Sequence, residues 1–189
     1  DGSVKTFDFD STSISKSVDV GSVFVEYTWG DGLLGSTIGI DYIPGGHTIG
    51  AKTRSDSNGE GDTGDYTAEA EVQDHVTVYF EPMLNATDMF GIYGKVGAIH
   101  LTVNSLENLT PATPSSDDTA DSVYGNKSIM GYVIGAGVRL QTQMGLFAKL
   151  EATHSDYGTV ELSSTTGNGN IIRAYPEADN VSLAIGFNF

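Results

Sequence analysis

The chain contains no cysteine. This absence excludes a disulfide framework, thiol catalysis and thiolate metal sites. Basic residues are also scarce: 9 Lys and Arg stand against 25 Asp and Glu, which gives a formal net charge of −16. Because phosphate binding needs a basic face, we do not expect nucleic acid among the partners.

Long apolar runs are missing as well. No run in the sequence approaches the ~18 apolar residues that a membrane helix needs. The chain also opens without a basic, apolar signal segment, so it is either not exported or a mature form. Proline is scarce at 5 residues and glycine is common at 24, which is typical of a strand-rich chain with close backbone approaches. The length of 189 residues suits a single domain spanning 1–189.

The chain has instead a recurring period-two alternation. In NVSLAIGFNF at 180–189, every odd-numbered residue is apolar and every even-numbered residue is small or polar. The same pattern predicts further strands at 22–29, 36–43, 66–81, 90–100, 128–141 and 146–154. A first strand within 3–9 would make the count eight, an even number as bacterial barrels require. The pattern therefore favours the exported, mature form.

The connections between these strands alternate in length. The short ones are residues 30–35, 82–89 and 142–145. The long ones are polar and rich in Gly, Ser, Thr and Asp, at residues 52–65, 104–127 and 155–178. Every short connection falls on the side where Phe189 lies. Short turns on one side and long loops on the other are typical of an up-and-down membrane barrel.

Aromatic residues cluster at the strand ends. Those near the short turns are Trp29, Phe80, Phe90, Phe187 and Phe189. Those near the long loops are Tyr42, Tyr66 and Tyr157. Two aromatic belts around an aliphatic band are what membrane interfaces favour. The sequence thus predicts an all-β fold, an antiparallel up-and-down transmembrane β-barrel of eight strands with short periplasmic turns and long extracellular loops.

Four segments carry a family resemblance: GIYGKVGAIH at 91–100, GYVIGAGVRLQ at 131–141, AKLEATHSDYG at 148–158 and SLAIGFNF at 182–189. From about residue 22 onward the chain resembles the small OmpA/OmpX-like outer-membrane β-barrel family. The resemblance implies the outer membrane of a Gram-negative bacterium, with loops at the cell surface. Outer-membrane lipid and lipopolysaccharide are then partners. So is the barrel-assembly machinery, which would read Phe187 and Phe189 as a terminal assembly signal.

Charged residues fall on the predicted lumen face, at similar heights: Glu26, Asp41, Lys95, Arg139, Lys149 and Glu151. Glu81 is expected lower, at the mouth of the barrel. An unpaired buried ion costs several kcal/mol, so these charges must pair. They form either a network that plugs the barrel or a polar path for ions. The narrow interior of an eight-stranded barrel favours the plug.

An acidic segment, DSNGEGDTGD, follows the second clear strand. Oxygen-bearing residues alternate around two glycines, like the start of a calcium loop, at Asp56, Asn58, Glu60 and Asp62. The bidentate Glu that closes such a loop is missing, since Thr67 stands there. The segment is therefore either an extracellular Ca²⁺ site or a solvated acidic loop; no other cofactor is expected.

Evidence for catalysis is thin. His154 stands beside Ser155 and Asp156, but adjacent residues on a strand point to opposite faces. We therefore expect a non-enzymatic surface protein with a side-chain-filled barrel. It would have a structural role and display acidic loops for adhesion to an extracellular ligand, a cell or a phage. The alternatives are a small porin-like channel for ions or small solutes and a lipid A-modifying enzyme.

Overall fold

The structure is a computed structural model that describes residues 15–30, 32–56, 64–111, 125–163 and 171–188. All regular structure in these ranges is β-strand, and all strand pairs are antiparallel. The described residues contain no helix that is long and apolar enough to cross a membrane. The strand expected within 3–9 lies outside the described residues.

Ten strand segments follow one another along the chain. They are β1 (Val23–Trp29), β2 (Leu34–Ile43), β3 (His47–Asp56), β4 (Gly64–Asn85), β5 (Phe90–Pro111), β6 (Asn126–Gln141), β7 (Leu146–Asp156), β8 (Val160–Ser163), β9 (Ile171–Ala174) and β10 (Glu177–Phe187).

One antiparallel sheet, curled into a half-barrel, contains most of these strands. Its order is β1-β2-β4-β5-β6-β7-β10, and β3 also pairs with β4. Strand β2 pairs with residues 75–84 of β4, and β3 pairs with residues 64–72 of the same strand. Because β2 and β3 lie end to end against β4, the sheet is seven strands wide in the described part of the chain. Strands β8 and β9 form a separate hairpin.

The two ends of the sheet differ in their connections. At one end, short turns at residues 86–89 and 142–145 join long strands. At the other end, β4 and β5 extend farther than β6, and each of the two strands is 22 residues long in total. The loops predicted at 52–65, 104–127 and 155–178 are therefore wrong in part, because β3, the far half of β5, and the β8–β9 hairpin occupy described residues within them or extend into them.

These strand segments were predicted as loops because the apolar side chains change from the convex to the concave face along the strands. In the first half of β5 the convex face carries exposed apolar residues such as Ile92 and Val96. Beyond that point Leu101 and Val103 are buried on the concave face, while His100 is exposed on the convex face. A pattern that assigns apolar residues to the convex face therefore fails for the far half of the strand.

A β-bulge performs the same reversal in β4. The register against β5 shifts between Gln73 and Val76, and Asp74 is exposed with a φ of 53°. Val78 is exposed on the convex face, whereas Val72 packs against buried residues on the concave face, although both numbers are even. Because a bulge adds one residue to a strand, it moves the following side chains to the other face. This explains why Asp74 interrupts the apolar pattern.

The far half of the concave face, away from the short turns, holds an apolar core. The β8–β9 hairpin contributes Val160 and Leu162 to a buried cluster that also contains Ile99, Leu101, Val103, Ile129 and Val133. Tyr157 packs against this cluster. The assignment of Tyr157 to an outward aromatic belt was therefore wrong, because its ring covers the apolar interior instead.

The near half of the concave face is the half beside the short turns. There, glycines lie directly beneath aromatic rings. The pairs are Gly39 with Tyr79, Gly137 with Tyr93, and Gly186 with Phe147. A Cβ atom added at these glycines would lie 2.3 to 2.5 Å from ring atoms, closer than real Cβ atoms approach. Glycine is therefore what allows large rings to lie flat across the inner surface, and this accounts for part of the unusual glycine content.

We predict that Gly137→Ala destabilises the protein by about 1–3 kcal/mol, because the added methyl group overpacks the inner face. Its Cβ would lie 2.5 Å from the Tyr93 ring and 2.7 Å from the Leu150 carbonyl oxygen. Gly94→Ala is the matched control, since its Cβ would meet no atom nearer than 3.9 Å. Equilibrium urea unfolding of the purified protein measures both. Equal losses in the two variants would contradict the packing argument.

Candidate functional site

Six charged side chains meet on the concave face, in the near half of the sheet. Strands β1 and β4 to β7 supply Glu26, Glu81, Lys95, Arg139, Lys149 and Glu151. None of these side chains is more than 11% exposed. Three are acidic and three are basic, so the group has no net formal charge.

These side chains form a linear chain in which the sign of the charge alternates. Arg139 Nη1 lies 2.6 Å from Glu26 Oε1. The other oxygen of Glu26 lies 3.1 Å from Lys149 Nζ, and Lys149 Nζ is 2.7 Å from Glu81 Oε2. Glu26 and Lys149 therefore each have two partners of opposite charge.

Lys95 continues the chain toward β7. Its Nζ lies 3.5 Å from Glu81 Oε1 and 2.8 Å from Glu151 Oε1. The complete order is Arg139, Glu26, Lys149, Glu81, Lys95 and Glu151. This ion-pair chain crosses the concave face and connects strands that are not neighbours in the sheet.

Aromatic side chains complete the environment of the charges. The Tyr79 hydroxyl donates to Glu26 at 3.2 Å, and the Tyr93 hydroxyl donates to Glu151 at 3.1 Å. Lys95 Nζ lies 4.0 Å from the centroid of the Tyr79 ring, within the range of a cation–π contact. The rings that rest on glycines thus also provide hydrogen bonds and cover for the charges.

The sequence identified most of this ion-pair chain. Five of the six predicted lumen residues belong to it, and Asp41 does not: that carboxylate is half-buried and accepts a hydrogen bond from Ser22 Oγ at 2.8 Å. The position expected for Glu81 was wrong. Glu81 is only 2% exposed and lies between Lys149 and Lys95. The predicted strand ended at residue 81, whereas β4 continues to Asn85, so Glu81 lies inside the sheet.

The residues of the predicted calcium loop and of the terminal aromatic pair lie partly outside the described residues. Asp56 is the last residue of β3, and Asn58, Glu60 and Asp62 lie outside the described residues. Within the described ranges, no three His, Asp or Glu side chains come together as a metal site. Of the terminal aromatic pair, Phe187 ends β10 and is exposed, and Phe189 lies outside the described residues.

The residues around His154 point in different directions. His154 Nδ1 lies 2.9 Å from Asp179 Oδ1, and both side chains are exposed on the convex face. This hydrogen bond raises the pKa of His154 above its ordinary value. Ser155 is buried on the opposite face. The serine hydroxyl and the imidazole are therefore not placed to act together as nucleophile and base.

Comparisons with protein-family models, with curated proteins and with solved structures find no match. The family resemblance carried by residues 91–100, 131–141, 148–158 and 182–189 therefore stays a prediction.

We predict that Arg139→Ala lowers the free energy of unfolding by about 3–5 kcal/mol, because it removes one partner of a buried pair. Lys149 would then be the one remaining cation paired with Glu26 among the described residues. Arg173→Ala is the matched control, since Arg173 pairs with Glu161 at 2.7 Å on the exposed side of the β8–β9 hairpin. The control should unfold like the parent protein.

A second substitution tests the charge argument within the same experiment. Adding Glu26→Gln to Arg139→Ala removes the stranded carboxylate charge, so part of the lost stability should return. Urea unfolding of the single and double variants gives the comparison. Additive losses would show that the contribution of Arg139 is not electrostatic.

Proposed function

We propose that this protein is a β-barrel of the bacterial outer membrane whose interior is closed by the ion-pair chain. It acts as a non-enzymatic surface protein and not as a pore. The observation that carries the proposal is the inside-out distribution of side chains in the near half of the sheet: charges lie on the concave face and apolar side chains on the convex face.

The convex face is too apolar for a surface in contact with water. Ile40, Ile134 and Leu150 lie on strands that have a neighbour on both sides, yet each is between 50% and 53% exposed. Soluble monomers rarely expose apolar patches larger than a few hundred Å². Lipid is the environment that suits such a face, and it also explains why the charged residues lie on the concave side.

The extent of the apolar convex face fits the thickness of a bilayer. On β6 it runs from Met130 to Leu140, and on β4 from Val76 to Leu84. A tilted strand needs about 9–11 residues to cross the hydrocarbon region. Farther along each strand the convex face becomes polar, at Ser128 on β6, His154 on β7 and Asp179 on β10. The change in polarity supports a membrane boundary at this height.

Exposed aromatic residues support a second boundary near the short turns. Trp29 lies 5.9 Å from Tyr27 and 6.2 Å from Phe80, measured between ring centroids. Phe187 lies at the same end of β10 and is exposed. Tryptophan, tyrosine and phenylalanine are enriched where hydrocarbon meets water in membrane barrels.

The ion-pair chain favours a closed interior over a pore. Its six members pair with one another, and three large rings lie on glycines beside them. A narrow barrel has room for side chains and little else. Ordered opposite charges leave no continuous column of water, so we propose that the barrel serves as a rigid anchor.

The far half of the sheet then faces the outside of the cell. Strands β4 and β5 extend past the apolar convex face, and the acidic segment 56–65 follows β3 at that end. We propose that this extension is the part that meets a ligand, another cell or a phage. Its apolar core under the β8–β9 hairpin gives it rigidity outside the membrane.

The membrane assignment predicts a depth profile along a single strand. The chain has no cysteine, so Ile134→Cys and Ser128→Cys each carry a unique label on the convex face of β6. In phosphatidylcholine vesicles, brominated acyl chains should quench a fluorophore at residue 134, and aqueous iodide should quench one at residue 128. Equal iodide quenching at both positions would contradict a membrane-embedded face.

The closed interior predicts an electrical result. Purified protein in planar bilayers should give no stable, porin-like conductance, because the charged side chains fill the interior. A porin added to the same bilayer serves as the positive control. Reproducible large current steps from the pure protein would overturn the closed-barrel proposal and would indicate a wider barrel than eight strands.

A further inference from the structure

The β8–β9 hairpin covers the far half of the concave face without belonging to the main sheet. In the described part of the chain, its two strands pair only with each other. Val160 and Leu162 of β8 belong to the buried apolar core. Lys127 of β6 donates to the Glu161 carbonyl oxygen at 2.6 Å. Side-chain contacts therefore hold the hairpin against the sheet, and no backbone ladder does so among the described residues.

Both connections of the hairpin lie at the same end of it. Residues 157–159 lead from β7 into β8, and residues 175–176 lead from β9 into β10. The Tyr157 N–H donates to the Pro176 carbonyl oxygen at 3.1 Å, so the two connections lie side by side. Gly158 has a φ of 66°, and a Cβ atom added there would meet no atom nearer than 3.9 Å. Adjacent connections with open space around them have the arrangement of a hinge.

A histidine lies beneath this hinge. The His75 ring packs edge-on against the Tyr157 ring, with 6.1 Å between the two centroids. His75 Nδ1 is buried and has no hydrogen-bond partner among the described residues. The bulge in β4 places His75 opposite the apolar stretch from Ile99 to Val103 of β5. An imidazole in such a position responds to a proton, because the charged ring has lost its contact with water.

We propose that the β8–β9 hairpin is a lid and that protonation of His75 at mildly acidic pH opens it. A proton taken up by the closed form would place a positive charge and a second N–H donor beneath Tyr157, beside the apolar core. Water solvates that charge once the hairpin has turned away from the sheet. Acid therefore shifts the equilibrium toward the open hairpin, which makes the apolar core accessible from solvent.

Asp41 is the charged group that faces His75 from β2. Ile43 pairs with His75, and Asp41 lies two residues away on the same face of β2. Burial lowers the pKa of His75 below its ordinary value, and the Asp41 carboxylate offsets part of this effect. Ser22 already donates a hydrogen bond to that carboxylate. The closed form therefore binds a proton less readily than a histidine in water does.

The other elements around His75 supply two further titratable groups. On β3, His47 pairs with Val72 and so lies on the same face of the sheet. At the hinge, burial raises the pKa of Tyr157, so its hydroxyl stays protonated. On β4 itself, Asp74 is exposed to solvent. His47 is therefore the second residue whose contribution to a response in this pH range has to be tested.

The direction of the pH effect follows from the lowered pKa of His75. The open form, with its ring in water, titrates near about 6.5, and the closed form takes up the proton only at lower pH. The preference for the closed form is therefore fully present above that value and is lost as the pH falls below it. From about pH 7.5 to about pH 5, the ratio of open to closed protein can rise by up to about 30-fold.

Thiol labelling of the cysteine-free chain measures the opening. Val160→Cys places a thiol on the buried face of the hairpin, and Met144→Cys places one on an exposed turn residue. The ratio of their labelling rates with an uncharged pyridyl disulfide cancels the effect of pH on thiol reactivity. We expect this ratio to rise severalfold in acid, by up to about 30-fold. A ratio that does not change with pH would overturn the proposal.

Histidine variants identify the group that responds. In the Val160→Cys background, His75→Gln should abolish the rise, and His75→Leu serves the same purpose if the glutamine variant does not fold. His154→Gln is the matched control, since His154 is exposed on the convex face, and it should leave the rise intact. His47→Gln should also leave it intact. A rise that persists without His75, or that disappears without His47, would overturn the assignment.

A further thiol distinguishes lid opening from unfolding of the whole sheet. Thr37 is 1% exposed and lies in the near half, so Thr37→Cys should show no rise in labelling over the same pH range. An equal rise at both positions would mean that the sheet itself unfolds, and it would overturn the lid. The result is independent of the membrane proposal, because the labelling ratio needs no bilayer.

Discussion

A charge in a confined space with little water has to be paired, and much of the near half of this sheet follows from that requirement. The ion-pair chain links β1, β4, β5, β6 and β7, so strands that share no backbone hydrogen bonds are held across the concave face. Arg139 joins β6 to the two edges of the sheet. The rings of Tyr79 and Tyr93 cover these charges, and they can lie there because glycines face them. Curvature, glycine content and ring placement are thus parts of one arrangement.

The same strands carry two opposite distributions of side chains. In the near half, apolar side chains are convex and charged ones concave. In the far half, the concave face is apolar and covered by the β8–β9 hairpin. Strand β5 makes this change without any break in its hydrogen bonding to β6, whereas β4 requires the bulge at Asp74. Under the proposed function, this reversal of polarity allows the sheet to pass from lipid into water as one rigid body.

The near half of the fold could be predicted from the sequence because every strand there places its apolar residues on the convex face. All seven strands found in it had been predicted, and so had five members of the ion-pair chain. The far half could not be predicted in this way, because Leu101 and Val103 are apolar on the concave face. When only convex apolar residues are counted, this part of the strand has the pattern of a loop. Glu81 was misplaced because the short connection was predicted to begin at residue 82, although β4 continues to Asn85. Long-range pairing between particular charges, such as Arg139 with Glu26, leaves no local signal at all.

The alternating order of the ion-pair chain has a consequence for how such a sequence can change. Four of its six members each satisfy two opposite charges, so neutralising one of them leaves its neighbours on both sides short of a partner. Substitutions at Glu26, Lys149, Glu81 and Lys95 therefore cannot accumulate independently. In descendants of this chain, these positions should be replaced in oppositely charged pairs, or a pair should exchange its signs together. The interior would then evolve in coupled steps, while the exposed convex residues drift one at a time among apolar side chains.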